Sequence, residues 1–213
     1  MGIASNLNVV LSSLSKQVTL VAVSKTKPNS VILEAYHAGQ KIFGENKVQE
    51  LAQKSKNLPK DIIWHMIGHL QTNKVNFIAP FVSLIHAVDS LKLLKEINKR
   101  AEQNNRVIDC LLQVHIATES SKFGFDITKV EEAIANAKEF QNIKIVGLMG
   151  MATFTDNKQQ VIQEFKSLNA VFESVKNKDI TTLSMGMSGD YQLAIEQGST
   201  MVRVGSAIFG HRN

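Results

Sequence analysis

VTLVAVSKTKPNSVILEAYHAGQKIFGEN, residues 18–46, contains two short apolar runs separated by an amphipathic stretch. The runs at 18–25 and 41–46 have the length and the β-branched and aromatic content of buried strands. Between them, Pro28 suits the first turn of a helix and Gly39 suits its C-terminal stop. The stretch therefore predicts a strand–helix–strand unit with parallel strands.

The same alternation continues to the end of the chain and predicts eight strands, with seven helices between them and one in front. The predicted strands are 18–25, 41–46, 62–68, 84–90, 108–116, 143–152, 181–187 and 201–210. Continuous apolar strands that alternate with helices indicate an α/β protein whose parallel sheet is buried on both faces. The even spacing favours a single (β/α)₈ TIM-like barrel with an extra N-terminal helix over an open doubly wound sheet. We expect one domain over residues 1–213.

Composition excludes several classes of protein. Of the 213 residues, 44% are hydrophobic and 20% are charged, which is unlike disordered, collagenous or coiled-coil chains. No apolar run is long enough for a membrane span, and no basic segment precedes the N-terminal apolar residues, so we expect a soluble, cytoplasmic protein. The net charge is +5, but Lys and Arg are scattered and aromatic residues are only 6%, which does not favour a nucleic-acid surface. The one cysteine, Cys110, is expected to be a buried small hydrophobe.

In a (β/α)₈ barrel, functional residues lie at the carboxyl ends of the strands, and Lys25 ends the first predicted strand. Burial favours the neutral amine of a lysine, which is a nucleophile toward carbonyls. The alternative is that Lys25 extends from the barrel mouth into solvent. Lys27 abuts Pro28 in the turn and is expected to be solvated.

Arg203 lies inside the apolar run of the eighth strand. Its permanent charge needs an acceptor, which is either an acidic residue on a neighbouring strand or a heteroatom of a ligand. Two small pairs, Gly205-Ser206 after Arg203 and Ser188-Gly189 before the helix that follows the seventh strand, are both predicted to lie at strand-to-helix turns. Loops in these positions commonly bind phosphate through backbone N–H groups, so the two pairs together indicate a phosphate site.

His65 and His69 have the i, i+4 spacing of metal ligands on a helix, but their segment is predicted as a strand and a turn. No Glu lies between them as the zinc protease motif requires, so we expect hydrogen bonding at the barrel rim and no metal. The chain also lacks the GxSxG, Walker and GxGxxG motifs of hydrolases, nucleotide hydrolases and dinucleotide-binding proteins.

The chain resembles the pyridoxal phosphate homeostasis proteins, which are similar to the N-terminal barrel domain of alanine racemases. The resemblance runs from the first strand to the last. It is carried by AVSKTKP (22–28), FGENKVQE (43–50), WHMIGHLQTNK (64–74), HAVDS (86–90) and SMGMSGDYQLAIEQGSTMVRVGSAIFG (184–210).

The resemblance implies that pyridoxal 5′-phosphate is the cofactor and that Lys25 forms a Schiff base with its aldehyde. It also implies that Arg203 faces the pyridine nitrogen and that Asn46 lies near the ring. The phosphate would lie against Ser188, Gly205 and Ser206. One departure is His115, at a position where the family more often has Asn, so any role for that position is in doubt.

An arginine cannot protonate the ring nitrogen, which weakens the cofactor as an electron sink and argues against transaminase chemistry. Alanine racemases have the same arginine contact but take a tyrosine from an additional C-terminal domain, and this chain ends after the eighth strand. Its two tyrosines, Tyr36 and Tyr191, fall in predicted helices. We therefore expect no catalytic residues and a carrier or buffer of the cofactor, with PLP-dependent apo-enzymes as possible partners.

The alternative to a carrier is a PLP-dependent amino-acid racemase that uses Lys25 and a rim group such as His65 as its two bases. A third hypothesis is a nucleic-acid binder that uses the +5 charge. Our prediction remains the carrier, a monomer or weak homodimer with no nucleic-acid or membrane partner.

Overall fold

The computed structural model describes residues 2–119 and 123–210. Eight parallel strands form a closed barrel in which the order in space is the order in the sequence. The strands are β1 (Thr19–Val23), β2 (Ile42–Glu45), β3 (Ile63–Met66), β4 (Leu84–Val88), β5 (Ile108–Gln113), β6 (Ile143–Met149), β7 (Thr182–Met187) and β8 (Met201–Val204). The ring is closed by the pairing of β1 with β8, in which Val21 is opposite Arg203. The predicted (β/α)₈ barrel is confirmed.

Helices lie outside the barrel between successive strands, and one precedes β1, as predicted; a further short helix, which was not predicted, follows β8. They are α1 (Ile3–Ser12), α2 (Asn29–His37), α3 (Val48–Asn57), α4 (Leu91–Gln103), α5 (Val130–Ala137), α6 (Lys158–Val175), α7 (Tyr191–Glu196) and α8 (Ser206–Phe209). The connection from β3 to β4 is a 3₁₀ helix, Thr72–Phe77, in place of the α-helix expected there. No helix of the described residues is long and apolar enough to cross a membrane.

Apolar side chains form two layers because successive residues of a strand point to opposite faces. One layer lies between the strands and the helices and includes Phe43, Trp64 and Phe165. The other is a smaller cluster inside the barrel, formed by Val21, Leu84, Ala87, Leu111, Met149 and Met201. Side chains that share a strand face with this interior cluster are those that can reach a ligand at the barrel mouth.

All eight strands are shorter than predicted, and the eighth differs most. The eighth was predicted to reach residue 210, but β8 ends at Val204 and α8 follows. The backbone leaves the extended conformation at Gly205 (φ −120°, ψ −74°), and α1 and the β1–α2 turn hold α8 through hydrogen bonds to the carbonyls of Ile208 and Phe209. The fifth was predicted to reach 116, but β5 ends at Gln113 and only an isolated bridge joins Val114 to Phe125.

Candidate functional site

Lys25 lies in a tight turn at the carboxyl end of β1. It is the second residue after Val23, and its side chain is half-buried. The turn, residues 24–27, is closed by a hydrogen bond from the Lys27 amide to the carbonyl of Ser24 (3.1 Å). Thr26 has a positive φ of 65°, which is rare for a β-branched residue and has to be stabilised by its surroundings.

A group of buried charges stabilises this turn from the helix side of the barrel. We call it the β1–α3 ion cluster; it consists of Ser24, Glu45, Glu50 and Lys54. The Lys54 ammonium donates to Glu45 (2.8 Å), to Glu50 (2.7 Å) and to the backbone carbonyl of Ser24 (2.8 Å). The same oxygen of Glu50 accepts the backbone N–H of Thr26 at 2.6 Å. The turn that carries Lys25 is thus attached to α3 at two backbone positions.

Glu45 is the most deeply buried member of the ion cluster. Its Oε1 accepts from the Ser24 hydroxyl (2.6 Å) and from Lys54, while its buried Oε2 has no partner among the described residues. Burial raises the pKa of the Glu45 carboxyl, and the hydrogen bonds from Lys54 and Ser24 act in the opposite direction. The contact with Lys54 therefore favours the charged form of this carboxyl against the effect of burial.

Arg203 is buried inside the barrel with neutral acceptors. Its Nη1 donates to the carbonyl (3.0 Å) and the hydroxyl (2.7 Å) of Ser184, and its Nη2 donates to the carbonyl of Gly150 (3.1 Å). Burial lowers its pKa to about 10, so the guanidinium is charged at neutral pH. No acidic side chain forms an ion pair with it in the described part of the chain, so the acidic partner on a neighbouring strand, one of the two alternatives, is excluded there.

Two histidines continue the polar contacts of Ser184. The Ser184 hydroxyl is 3.2 Å from Nδ1 of His86, whose Nε2 is 3.0 Å from Nδ1 of His65. Burial lowers the pKa of His65 to about 3, and burial, His65 and Arg203 lower the pKa of His86 well below its usual value. The prediction that His65 lies at the rim is wrong: it is buried within β3, and this burial keeps its imidazole neutral.

The residues predicted to bind phosphate lie where β7 and β8 end. The Ser188 hydroxyl accepts the backbone N–H of Gly205 at 3.0 Å. Ser206 is exposed at the start of α8, where the first N–H groups of a helix have no acceptor within the helix. A Cβ at Gly205 would lie 3.2 Å from the Val23 carbonyl, so this backbone also packs against the end of β1. Ser188, Gly205 and the end of the Lys25 strand are neighbours.

Asn46 is half-buried directly after β2, and its backbone leaves no room for a side chain at Gly68. Lys27, expected to be solvated, is half-buried instead, and its ammonium donates to the Phe209 carbonyl (2.9 Å).

The remaining candidates have structural contacts. His69 pairs with Asp89 (3.1 Å) and stacks on Phe123, and His115 contacts the Glu119 carbonyl (3.0 Å). The described residues contain no group of three or more potential metal ligands.

Cys110 is buried in β5, which raises the pKa of its thiol. Tyr36 and Tyr191 lie in helices, where their hydroxyls contact Asp61 (2.7 Å) and Ser13 (3.0 Å).

Comparison with known proteins agrees with this geometry. The family model described as the alanine racemase N-terminal domain matches residues 2–213. A pyridoxal phosphate homeostasis protein from Aquifex aeolicus is 41% identical over 197 residues, covering 91% of this chain and 86% of the relative. The chain belongs to the pyridoxal phosphate homeostasis protein family. Another member, from Escherichia coli K12, is 36% identical over 204 residues, covering 93% of this chain and 87% of the relative.

Solved structures extend the comparison within and beyond the homeostasis protein family. PipY from Synechococcus elongatus, solved without and with PLP bound, is 34% identical with TM-scores of 0.93 and 0.88, and the match covers 98% of this chain and 100% of PipY. Alanine racemase from Bartonella henselae is 17% identical with a TM-score of 0.77, and the match covers 98% of this chain and 58% of the racemase. The racemase likeness shows a shared barrel fold only.

Proposed function

We propose that this protein binds pyridoxal 5′-phosphate at the carboxyl end of the barrel and carries or buffers it within the cell. The observation that carries the proposal is the likeness over nearly the whole chain to PipY, a protein solved with PLP bound. The names of the curated relatives support a role in homeostasis of the cofactor.

The side chains present fit the chemical groups of this cofactor. Lys25 is the amine that would bind the aldehyde, and the ends of β7 and β8 supply a hydroxyl and backbone N–H groups for the phosphate. Arg203 has five N–H donors, of which three are used in its bonds to Ser184 and Gly150. A buried guanidinium with two further N–H donors can donate a hydrogen bond to a neutral ring nitrogen. The assignments of Lys25, Asn46, Ser188, Arg203, Gly205 and Ser206 remain predictions.

We further propose that the protein has no substantial catalysis of its own. Bound pyridoxal phosphate supplies an electron sink that is strong when its ring nitrogen is protonated. Arg203 donates hydrogen bonds but holds its own proton up to a pKa of about 10, so it would leave that nitrogen neutral. His65, the second base of the racemase alternative, has a pKa of about 3, so its imidazole is a weak base that does not become an imidazolium at neutral pH. The hydroxyls of Tyr36 and Tyr191 contact Asp61 and Ser13, which lie outside the barrel.

The proposal also covers partners and location. We propose a cytoplasmic monomer or weak homodimer that passes the cofactor to PLP-dependent apo-enzymes and has no nucleic-acid or membrane partner. The scattered positive charge supports the exclusion of nucleic acid.

Titration of the purified protein with pyridoxal phosphate and with pyridoxal tests the binding site. Ser206→Glu places a negative charge at the proposed phosphate position, and we expect it to weaken binding of the phosphorylated vitamer at least about tenfold, by charge repulsion. Pyridoxal binding should change by less than about twofold, because pyridoxal has no phosphate for the new charge to repel. Ser167→Glu, on the exposed face of α6, is the matched control. Equal losses for both vitamers would remove the phosphate assignment.

Incubation of the loaded protein with alanine in deuterated water tests the absence of catalysis. We expect no deuterium at Cα at enzyme-like rates, together with transfer of the cofactor to an added PLP-dependent apo-enzyme. Rapid exchange with loss of optical purity would favour the racemase.

A further inference from the structure

Four polar side chains form a continuous hydrogen-bonded chain inside the barrel, which we call the interior chain. It runs from Arg203 on β8 to Ser184 on β7, then to His86 on β4 and His65 on β3. His86 and Ser184 are fully buried, and Arg203 and His65 are each at least nine-tenths buried. None of these contacts involves a charged partner other than Arg203 itself.

The direction of each hydrogen bond follows from the number of protons available. An arginine only donates, so the Ser184 hydroxyl oxygen accepts from Arg203. The hydroxyl has one proton to give, and within the described residues Nδ1 of His86 is the acceptor in contact with it. If Nδ1 of His86 carried a proton instead, the hydroxyl proton of Ser184 would be buried without a partner. Nδ1 of His86 is therefore bare.

The position of the proton on His65 follows from its position on His86. A neutral imidazole carries one proton, so His86 carries it on Nε2 and donates it to Nδ1 of His65, which leaves the proton of His65 on its Nε2. Both rings are kept neutral by burial, since each pKa lies well below neutral. Arg203 fixes the orientation of the whole chain because it cannot reverse its role as donor.

We propose that His86 is a positioning residue for Arg203, acting through the Ser184 hydroxyl. By accepting the proton of Ser184, His86 turns the hydroxyl lone pairs toward Nη1 of Arg203. The hydrogen bond to the Ser184 hydroxyl, together with those to the carbonyls of Ser184 and Gly150, fixes the plane of the guanidinium. The other N–H groups of Arg203 are left for a ligand. The importance of this orientation for the ring nitrogen rests on the proposed binding of pyridoxal phosphate.

Nitrogen NMR of the apo protein with ¹⁵N-labelled histidine tests the proton assignment without the cofactor. We expect two rings, assigned by single substitutions, to be neutral with Nε2 protonated and Nδ1 bare throughout pH 5 to 8. A proton on Nδ1 of His86, or an imidazolium at either position in this range, would overturn the interior chain as described. This result is independent of whether the protein binds pyridoxal phosphate.

Two substitutions at one position then test the positioning role. Asn can present its carbonyl oxygen near the place of Nδ1, whereas Leu has no acceptor. We expect H86L to weaken binding of pyridoxal phosphate about tenfold and to shift the absorption maximum of the bound cofactor, and H86N to keep binding within about threefold. H37L, on the exposed end of α2, is the control.

The pair of variants separates positioning from packing. Equal losses in H86N and H86L, or no loss in either, would contradict the positioning role. If H86L does not fold, S184A removes the hydroxyl with a smaller change and is expected to give the same shift of the absorption maximum. Absence of binding in the unsubstituted protein would instead remove the proposed function and leave the NMR result standing.

Discussion

The interior chain and the β1–α3 ion cluster both bury a cation, but they compensate it in opposite ways. Lys54 contacts two carboxylates, Glu45 and Glu50, so the positive charge of Lys54 is compensated within the cluster. Arg203 contacts a hydroxyl and two carbonyls, which stabilise the guanidinium without cancelling its charge. The cluster therefore serves to hold the turn of Lys25, whereas the interior retains a positive charge and free donors that can interact with a ligand.

Removal of Lys54 should have the largest effect on stability. Lys54→Met leaves the carboxyl of Glu45 buried without its cation, and breaking a buried pair on one side costs about 3–5 kcal/mol. We expect the free energy of unfolding in urea to fall by this amount. Lys41→Met breaks the exposed Lys41–Asp61 pair and, as the control, should leave the free energy of unfolding nearly unchanged, because solvent screens this pair.

A loss of less than about 1 kcal/mol in Lys54→Met would show that the ion cluster is not a structural element. The double variant with Glu45→Gln sharpens the test, because it removes the uncompensated charge and should recover part of the loss.

The two histidines of the interior chain should make stability depend on pH. In the folded protein the pKa of His65 is about 3 and that of His86 is also far below 6.5, so below pH 6.5 the unfolded chain binds protons that the folded protein does not. Each group then lowers the free energy of unfolding on acidification, with a slope that approaches about 1.4 kcal/mol per pH unit well below pH 6.5. Between pH 6.5 and 5.5 we expect a loss of about 2 kcal/mol from the pair, because the unfolded histidines are already half protonated at pH 6.5.

The titration of Glu45 changes the free energy of unfolding in the opposite direction at lower pH. The pKa of Glu45 is raised in the folded protein, so its contribution to stability is present below its unfolded value of 4.5 and is lost as the pH rises through the folded value.

Urea unfolding of the double variant His65→Asn/His86→Asn tests the two histidines. The free energy of unfolding should depend less steeply on pH above pH 5.5 in this variant, and the exposed control His37→Asn should not show this change. An unchanged slope in the double variant would contradict the buried neutral pair.

Glu50 should give the smallest effect of the three, because it is partly exposed. Glu50→Ala removes the acceptor of the Thr26 N–H, and one such bond is worth about 1 kcal/mol. Hydrogen exchange at the Thr26 amide should become faster, while Glu132→Ala, at an exposed ion pair, leaves it unchanged. Unchanged exchange in Glu50→Ala would show that α3 does not hold the turn.

The periodicity of the sequence was sufficient to predict the barrel but not the ends of its strands. The eighth strand was extended into α8 because SAIF is as apolar as a strand, and the hydrogen bonds that hold it as a helix come from Asn6 and Lys27, far away in the sequence. The fifth strand was predicted to reach Ile116 for the same reason. Such long-range contacts leave no local signal.

The site was predictable where side chains follow strand ends, and less so inside the barrel. Lys25, Ser188 and Gly205 lie at strand ends as expected, whereas His65, expected at the rim, is buried within β3. The ion cluster was missed altogether. One signal was present: Lys54 has the helix spacing of the buried residues Val48 and Leu51, and a lysine on an apolar face needs a buried partner.

Borohydride reduction of the protein loaded with pyridoxal phosphate, followed by peptide mass mapping, identifies the lysine that holds the cofactor. Lys25 lies in the anchored turn at the barrel mouth, while Lys27 is bound to the Phe209 carbonyl and Lys47 is exposed. We predict that the pyridoxyl group is found on Lys25 and is absent from the Lys25→Ala variant. Label on Lys27 or Lys47, or no stable label on any lysine, would contradict the assignment of the site.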